Sequence, residues 1–289
     1  MTRTASWFAL LILISTGSAI AETVTEQTIP VTVTDTKLTV DGNLGDWGQV
    51  GWQQIQIAPA IENDAKNFTG KMTVSLAART LDGYIYLAAR WPDKKANTTY
   101  KNWAWKGNRY RRGKELDDMF ALRFEMNGDY DSCMLSQKDY GVDVWLWSAG
   151  RSNLSGYAED LTHTISTNMI ENAAEVEDKD GRIVYIKKYK DKGSPIYKNS
   201  RPKRKVFAGK LIKGINPGTP SGSMADVKAA GQWLDGHWIL EMSRKLETSH
   251  ADDIKLSKGK SIRGAIAVFN KSASEHKSNS GTLIFDLLP

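Results

Sequence analysis

Residues 71–91 read KMTVSLAARTLDGYIYLAARW, and they are the starting point for the predicted fold. Its two halves, 71–79 and 84–91, are rich in β-branched, aromatic and small apolar residues, and Leu81-Asp82-Gly83 separates them. Asp-Gly between two apolar runs is a strong signal for a tight β-hairpin, because both turn residues readily take positive φ. The stretch therefore predicts two neighbouring antiparallel strands.

Further strand signals lie along the rest of the chain. They share alternation with period two, or short apolar runs bounded by Gly, Asp and Asn, and they cover residues 31–40, 119–125, 142–147, 238–242, 262–269 and 281–287. Many short strands with regular turn signals and little helical periodicity are typical of a sandwich or barrel. We therefore predict an all-β protein, an antiparallel β-sandwich built as one domain over residues 22–289. Residues 150–230 carry abundant Gly, Ser, Asn, Lys and Pro, and they predict a long irregular insertion.

The N-terminus has the pattern of a secretory signal. Arg3 supplies the positive charge, WFALLILI at 7–14 supplies a short apolar segment, and small residues precede a cleavage site after Ala21. The apolar segment is too short to span a bilayer comfortably. Residues 1–21 are therefore predicted to be removed, which leaves a periplasmic protein without a membrane span.

Composition excludes several classes of protein. Cys133 is the only cysteine, so no intrachain disulfide can form and stability must come from a core. The formal charge is +6, and it becomes +5 when Arg3 leaves with the signal. Part of this charge lies in two basic runs, 110–114 and 201–205, which are typical of solvated loops or of a docking surface for an acidic partner. An exported chain without a nucleic-acid-binding motif is not expected to bind nucleic acid.

The sequence carries no catalytic signature. Its four histidines (His163, His237, His250 and His276) are scattered, and they form neither HExxH nor a zinc spacing with cysteine. The paired acids at 117–118, 159–160 and 252–253 occupy adjacent positions, where side chains diverge, so they do not indicate a hydrolase dyad. We therefore expect a protein that is not itself an enzyme.

Met134 follows Cys133 in a loop just before the apolar strand 142–147. A single methionine most often fills a core, but a thioether is also an axial ligand of haem iron. Covalent attachment of haem needs Cys-x-x-Cys-His, which is absent, so any haem here would be of the b type. Cys133 is then expected to be a small buried or half-buried residue, and a thiolate ligand to the iron is the rarer alternative. Ten tryptophans fit either a β-sheet core or a planar ligand such as a sugar or a porphyrin.

Several segments, in order, resemble a known family. They are LTVDGNLGDW at 38–47, FALRF at 120–124 with the Cys133-Met134 loop, DVWLWSAGR at 143–151, GHWILEMSRKLET at 236–248, AIAVFN at 265–270 and KSNS at 277–280. Together they resemble the haem-b-binding subunit of ethylbenzene dehydrogenase and dimethylsulfide dehydrogenase. The resemblance implies an antiparallel β-sandwich, like family 9 carbohydrate-binding modules and DOMON domains, with one haem b. It also implies electron transfer between the iron–sulfur subunit of a molybdenum enzyme of the DMSO reductase type and a periplasmic acceptor such as a cytochrome.

The resemblance also implies the iron ligands. Met134 matches the family's methionine, and Lys277 is the match for its lysine. His276, next to it, is the commoner kind of haem ligand, and Lys271 and Lys245 are further alternatives. A lysine amine binds iron only when it is neutral, so burial and the metal itself would have to favour its deprotonation.

Four more residues are candidates for holding the haem. Arg151 and Arg244 could pair with the propionates, since guanidinium suits bidentate contact with a carboxylate. Trp145 and Trp147 share one face of their strand and could flank the porphyrin or fill the core.

Two other functions fit parts of the sequence. The segments DGNLGDW at 41–47 and LDGYIYLAARWPD at 81–93 also resemble carbohydrate-binding modules of family 9, in which tryptophans would stack on sugar rings. A cofactor-free component of an envelope complex is the third possibility. The colour of the pure protein separates the haem hypothesis from the other two.

Overall fold

A computed structural model describes residues 26–178, 180–272 and 277–289 of the chain. The predicted signal peptide, residues 1–21, and the candidate ligand His276 lie outside the described residues. No described helix is both long enough and apolar enough to cross a membrane.

The described residues are almost entirely β-structure. Short 3-10 turns occur at Leu44–Trp47, Ser152–Ser155 and Gly222–Ala225. The strands, in chain order, are β1 (Gln27–Val33), β2 (Gln53–Pro59), β3 (Met72–Leu81), β4 (Tyr84–Pro92), β5 (Trp103–Trp105), β6 (Tyr110–Arg112), β7 (Met119–Gly128), β8 (Tyr140–Ser148), β9 (Glu159–Ser166), β10 (Ala174–Glu177), β11 (Ile183–Lys190), β12 (Tyr197–Asn199), β13 (Leu211–Ile212), β14 (Ile215–Pro217), β15 (Lys228–Leu234), β16 (His237–Lys245), β17 (Lys260–Phe269), β18 (Ser278–Asn279) and β19 (Leu283–Leu287). The all-β prediction is confirmed.

The hairpin predicted at 71–91 is β3–β4. Leu81 pairs with Tyr84, so the turn has two residues. Asp82 and Gly83 both have positive φ, 48° and 78°, which is the conformation that a right-twisted hairpin needs and that Asp-Gly adopts at low cost. Local sequence alone therefore determines this pair of strands and its register.

The arrangement of the sheets differs from the predicted plain sandwich. β17, β18, β2, β3, β1 and β19 pair in turn, and β19 pairs with β17 again, so six strands form a closed ring. β1 closes the ring because it lies parallel to both β19 and β3. These parallel pairings are also a departure from the predicted antiparallel order. The parallel pairings depend on contacts between residues that are far apart in the chain, and local sequence patterns contain no information about such contacts.

Two arms extend from the ring within the same sheet. One arm runs β17–β7–β8–β9–β11–β10, and the other runs β3–β4–β16–β15. The main core lies between them, and aromatic rings fill its centre. Trp91 stacks on Phe120 with ring centroids 5.3 Å apart, and Trp147 meets Trp238 edge-on at 5.0 Å.

Residues 150–230 contain more regular structure than the sequence predicts. β9 and β11 widen the first arm, and β15 forms the edge of the second. Smaller sheets, β5–β6–β13 and β12–β14, also draw strands from this region. β9 has the sequence EDLTHTIS, in which apolar and polar residues alternate in a pattern that is short and easily missed.

Candidate functional site

A cavity of about 190 Å³ lies on the face of the first arm that points away from the main core. Its floor consists of small side chains, because Ala121 of β7 lies directly opposite Ala267 of β17, with Ala265 two residues along. Val144 and Leu146 of β8 and Phe269 of β17 extend this apolar surface. We call this cavity the sheet-face pocket. Small residues on adjacent strands leave a flat apolar surface that suits a planar ligand.

Met134 and Lys277 both line the sheet-face pocket. Met134 comes from the loop between β7 and β8, and Lys277 immediately precedes β18. Lys277 is 8 % exposed, and its amino group lies 6.0 Å from the centre of the Phe269 ring. The structure therefore brings together a thioether and an amine that are far apart in the sequence.

Hydrogen bonds fix the loop that carries Met134. The Arg123 guanidinium donates to the carbonyl oxygens of Asp131, at 3.2 Å, and of Ser132. The Tyr140 hydroxyl donates to the Cys133 carbonyl oxygen at 2.9 Å. The Cys133 amide donates to an Asp131 carboxylate oxygen at 2.8 Å. Cys133 thus contributes backbone contacts to the loop, and its half-buried side chain is not among the residues that line the pocket.

The backbone at Lys277 is held from the other side. Its carbonyl oxygen accepts hydrogen bonds from the Asn67 side chain, at 2.7 Å, and from the Ala60 amide, at 3.2 Å. The next residue, Ser278, starts the short strand that pairs with both β17 and β2. The amine therefore projects from a segment tied to three parts of the chain.

Cationic side chains surround the apolar floor. Lys101, Arg123, Arg151 and Lys188 all line the sheet-face pocket. Arg151 donates to both carboxylate oxygens of Asp117 at 3.2 Å and packs on the Tyr100 ring at 4.5 Å. The lining includes no Asp or Glu. The pocket therefore favours an apolar ligand that carries negative charge at its edge.

His163 of β9 is a pocket residue that the sequence did not single out. It is 7 % exposed, and neither ring nitrogen has a hydrogen-bond partner among the described residues. Burial, together with the charges of Lys188, Arg123 and Lys277, lowers the pKa of His163 to about 3. The ring is therefore neutral near pH 7 and can offer a lone pair. The sequence contained one indication that His163 is buried, because it alternates with Leu161 and Ile165 and so lies on the same face of the strand.

Trp145 and Trp147 do not line the sheet-face pocket, and of the two roles predicted for them the structure shows the second, filling the core. Both lie in the main core with essentially no exposed surface. Strand side chains alternate between faces, so the neighbours Val144 and Leu146 face the pocket and the tryptophans face the other way. Period two placed the two tryptophans correctly on one face but could not say which face borders the pocket.

Arg244 is likewise absent from the pocket. Its guanidinium is fully buried, lies 2.6 Å from an Asp143 carboxylate oxygen, and packs over Trp145 at 4.9 Å. It is committed to these contacts inside the core, so it cannot also bind a ligand on the opposite face of the sheet. Of the two predicted arginines, only Arg151 reaches the pocket.

The alternative lysines also lie elsewhere. Lys245 ends β16 in the second arm and is exposed. Lys271 is exposed in the loop after β17, and its backbone amide donates to an Asp118 carboxylate oxygen at 3.2 Å. Neither contributes to the lining of the sheet-face pocket, so Lys277 is the one of the three lysines that the structure brings to Met134.

The two basic runs of the sequence meet at the surface beside the pocket. The Tyr110 amide donates to the Arg204 carbonyl oxygen at 2.8 Å, which joins residues 110–114 to residues 201–205. Arg111, Arg112, Lys114, Arg201, Lys203, Arg204 and Lys205 are exposed there. The same segment follows Tyr100 and Lys101, which line the pocket. We call this area the basic surface.

A family model described as ethylbenzene dehydrogenase matches residues 45–281, which is most of the chain. The chain belongs to the ethylbenzene dehydrogenase family. Both pocket residues implied by the resemblance, Met134 and Lys277, fall inside the matched range. A search of the curated proteins gave no significant match.

Two solved structures are similar to this member of the ethylbenzene dehydrogenase family. One is a family 9 carbohydrate-binding module from Caldicellulosiruptor kristjanssonii in complex with cellotriose, with 13% identity, a TM-score of 0.41, and coverage of 90% of this chain and 94% of that one. The other is a protein from Bacteroides uniformis thought to bind carbohydrate, with 10% identity, a TM-score of 0.44, and coverage of 91% and 100%. At these TM-scores the likeness carries no argument about a ligand.

Proposed function

We propose that this chain is a periplasmic haem-b-binding electron-transfer subunit that serves a molybdenum oxidoreductase of the DMSO reductase type. The observation that carries the proposal is the meeting of Met134 and Lys277 in one buried, apolar pocket. Thioether sulfur and a neutral nitrogen donor are ligands that haem iron accepts. Membership of the ethylbenzene dehydrogenase family supports the same assignment. When bound, haem b would supply one-electron transfer, and catalysis would belong to another chain.

The other pocket residues fit a porphyrin chemically. The alanine floor and Phe269 suit the apolar macrocycle. Arg123, Arg151, Lys101 and Lys188 suit its two carboxylates, since guanidinium and ammonium groups form strong hydrogen bonds with carboxylate. The cavity is smaller than the roughly 300–1,000 Å³ common for larger ligands, so long side chains in its wall would have to turn outward when haem binds.

The basic surface supports a role in electron transfer between proteins. Charge of one sign around a redox site accelerates encounter with a partner of the opposite sign. The partner we propose is therefore an acidic surface on an iron–sulfur subunit or on a periplasmic cytochrome.

The buried tryptophans do not support the sugar-binding alternative. Trp47, Trp91, Trp145, Trp147 and Trp238 are buried, so they are unavailable as stacking platforms for sugar rings. Trp52, Trp103 and Trp105 are half-buried and Trp233 is exposed, but no tryptophan among the described residues lines the sheet-face pocket.

The test is the ultraviolet–visible spectrum of the full chain, exported to the periplasm with haem supplied, in the oxidised and the dithionite-reduced state. A Soret band and a sharp low-spin α-band on reduction are expected. Met134→Ala and Lys277→Ala should each shift or remove these bands. His163→Ala and His276→Ala decide whether a histidine replaces Lys277 as the second ligand.

Two matched variants control for the loss of a methionine or a lysine as such. Met169 is 78 % exposed and Lys245 is exposed far from the pocket, so Met169→Ala and Lys245→Ala should keep the wild-type spectrum. A colourless protein despite haem supply would overturn the proposal, and a glycan-binding assay would then be the next experiment.

A further inference from the structure

A second site, unrelated to the pocket, lies at the edge of the main core. Asp143 of β8, Asp160 of β9 and Asp253 of the loop between β16 and β17 each turn a carboxylate toward one another. One oxygen from each lies within 4.8 Å of the others. Asp143 and Asp160 are 0 % and 1 % exposed, and the Asp253 side chain is 1 % exposed. These three residues form the acidic cluster.

Arg244 supplies the positive charge seen inside the acidic cluster. Its Nη1 lies 2.6 Å from Asp143 Oδ2 and 3.4 Å from Asp253 Oδ1, and its Nη2 donates to the Ile254 carbonyl oxygen at 2.8 Å. Outside the cluster, His250 lies 2.5 Å from Asp226 and 3.9 Å from Asp253, and its side chain is 40 % exposed. One guanidinium can neutralise only one of the three buried carboxylates.

Asp160 is the first independent sign that something else binds here. Neither of its carboxylate oxygens has a hydrogen-bond partner among the described residues. Buried charged groups are normally paired or coordinate a metal, because removing a carboxylate from water without compensation is very unfavourable. An isolated buried carboxylate aimed at two others therefore points to a site that binds a cation.

Asp191 is a second buried carboxylate that indicates a cation site, and it lies on a different part of the chain. It directly follows β11, beside the end of β9, and is 6 % exposed. Neither of its carboxylate oxygens has a hydrogen-bond partner in the described part of the chain. β11 and β9 pair Lys190 with Leu161, so Asp191 follows on one strand at the level where Asp160 precedes on the other. The pairing therefore places Asp191 next to Asp160 of the acidic cluster.

We propose that Asp143, Asp160, Asp191 and Asp253 bind one Ca²⁺ ion. The donors are all carboxylate oxygens, which suit a hard cation of this size. A soft transition metal is disfavoured because no thiolate is present and the nearest histidine is engaged by Asp226. The ion would join β8, β9 and β11 of the first arm to the loop that follows β16 of the second, so its role is to hold the two arms together.

The proposal does not depend on haem, and its test uses the full chain without added haem. The protein is treated with EDTA, exchanged into chelator-free buffer, and titrated with CaCl₂ in a calorimeter. One site is expected, and Ca²⁺ should raise the melting temperature, because a ligand that binds only the folded state stabilises it.

Asp160→Asn and Asp191→Asn test the location of the ion. Both preserve side-chain shape, and each should weaken Ca²⁺ binding by at least about tenfold, since even residues outside the first ligand layer commonly contribute that much. Glu247→Gln removes an exposed carboxylate from the same loop region, where Glu247 pairs with Lys255. This matched control should leave the affinity unchanged.

Three results would overturn the proposal. The first is the absence of both binding heat and a Ca²⁺-dependent melting shift in the wild type, which would mean that protons neutralise the acidic cluster. The second is Ca²⁺ affinity that is the same in Asp160→Asn and Asp191→Asn as in the wild type, which would place the ion elsewhere. The third is an equal loss of affinity in Glu247→Gln, which would indicate diffuse surface binding.

Discussion

The Asn279 side-chain amide donates a hydrogen bond to the Ser132 carbonyl oxygen over 3.4 Å. This contact joins the strand that follows Lys277 to the loop that holds Met134. The same Ser132 carbonyl also accepts from Arg123, so one backbone oxygen links both walls of the sheet-face pocket and its floor strand. The relative position of the two proposed iron ligands is therefore fixed by hydrogen bonds of neighbouring residues, and not by the side chains of Met134 and Lys277 themselves.

Asn279→Ala should weaken haem binding without removing either ligand. Loss of the link lets the Met134 loop move relative to Lys277, and groups that orient ligands typically contribute about 10- to 100-fold in affinity. Because the bond is long, we expect the lower end of that range. Titration with haem followed at the Soret band measures it.

Asn199→Ala is the control for Asn279→Ala. Asn199 is exposed and bonds to Arg112 away from the pocket, so its loss should leave the haem affinity at the wild-type value. An unchanged affinity in Asn279→Ala would mean that the other contacts of the loop suffice.

Asp118 should make stability depend on pH. Burial, and secondarily the charge of Asp93, raise the pKa of Asp118 to about 7, although the Asn97 and Lys271 amides and Trp238 donate to the carboxylate. Between about pH 4 and 7 the folded chain therefore holds a proton that the unfolded chain releases. Its contribution to stability is fully present below about pH 4 and is lost as pH rises to 7, with a slope of at most about 1.4 kcal/mol per pH unit.

Urea unfolding of the wild type and of Asp118→Asn across this range isolates the effect. The unfolding free energy of the wild type minus that of Asp118→Asn should fall as pH rises to about 7 and stay constant above it. Asp35→Asn, at an exposed position, controls for the loss of a carboxylate. A difference that does not change with pH would show that Asp118 is ionised throughout.

Gly231→Ala should destabilise the protein. A Cβ atom at this position would lie 2.3 Å from a ring carbon of Trp147, and that ring is fixed by its hydrogen bond to Asn153, 2.9 Å long. Asn153 also accepts from the Gly231 amide at 2.9 Å, so neither partner can retreat easily. Overpacking of this kind costs about 1–3 kcal/mol, and urea unfolding at fixed pH measures it.

Gly51→Ala is the matched control for Gly231→Ala. A Cβ atom at Gly51 would meet nothing within 4 Å, so the free energy of unfolding should change little. Equal effects of the two substitutions would mean that loss of glycine flexibility, and not the clash with Trp147, determines the cost.

Local sequence predicts the strands because their signals are local. The hairpin around Asp82-Gly83 follows from its turn residues, and the strands β7 and β8 follow from their alternation and short apolar runs. The closed ring does not follow from such signals. It depends on where β1 inserts, and that position is decided by its pairing with β3 and with β19, which lies more than 200 residues further along the chain.

The residues of the candidate site also differ in whether the sequence could predict them. Met134 and Lys277 were implied by the family resemblance, Arg151 was a candidate from the chemistry of guanidinium with carboxylates, and all three line one pocket, whereas His163 and Arg123 needed the structure. Trp145 and Arg244 lie in the main core and not in the pocket. For Trp145, strand period gives the set of residues on a face but not which face borders the pocket.

Sequence patterns predicted an all-β chain and its main hairpin, and the family resemblance implied Met134 and Lys277 as candidate iron ligands, with His276, Lys271 and Lys245 as alternatives. The tertiary structure was needed to show that Trp145 and Trp147 lie in the core, and that Asp143, Asp160 and Asp253 converge with Asp191 next to the end of the Asp160 strand. Adjacent acids such as Asp252 and Asp253 point apart along the chain, so sequence spacing gave no sign of the acidic cluster. Three strands and a distant loop bring these carboxylates together, and their burial without enough positive charge is a property of the fold alone.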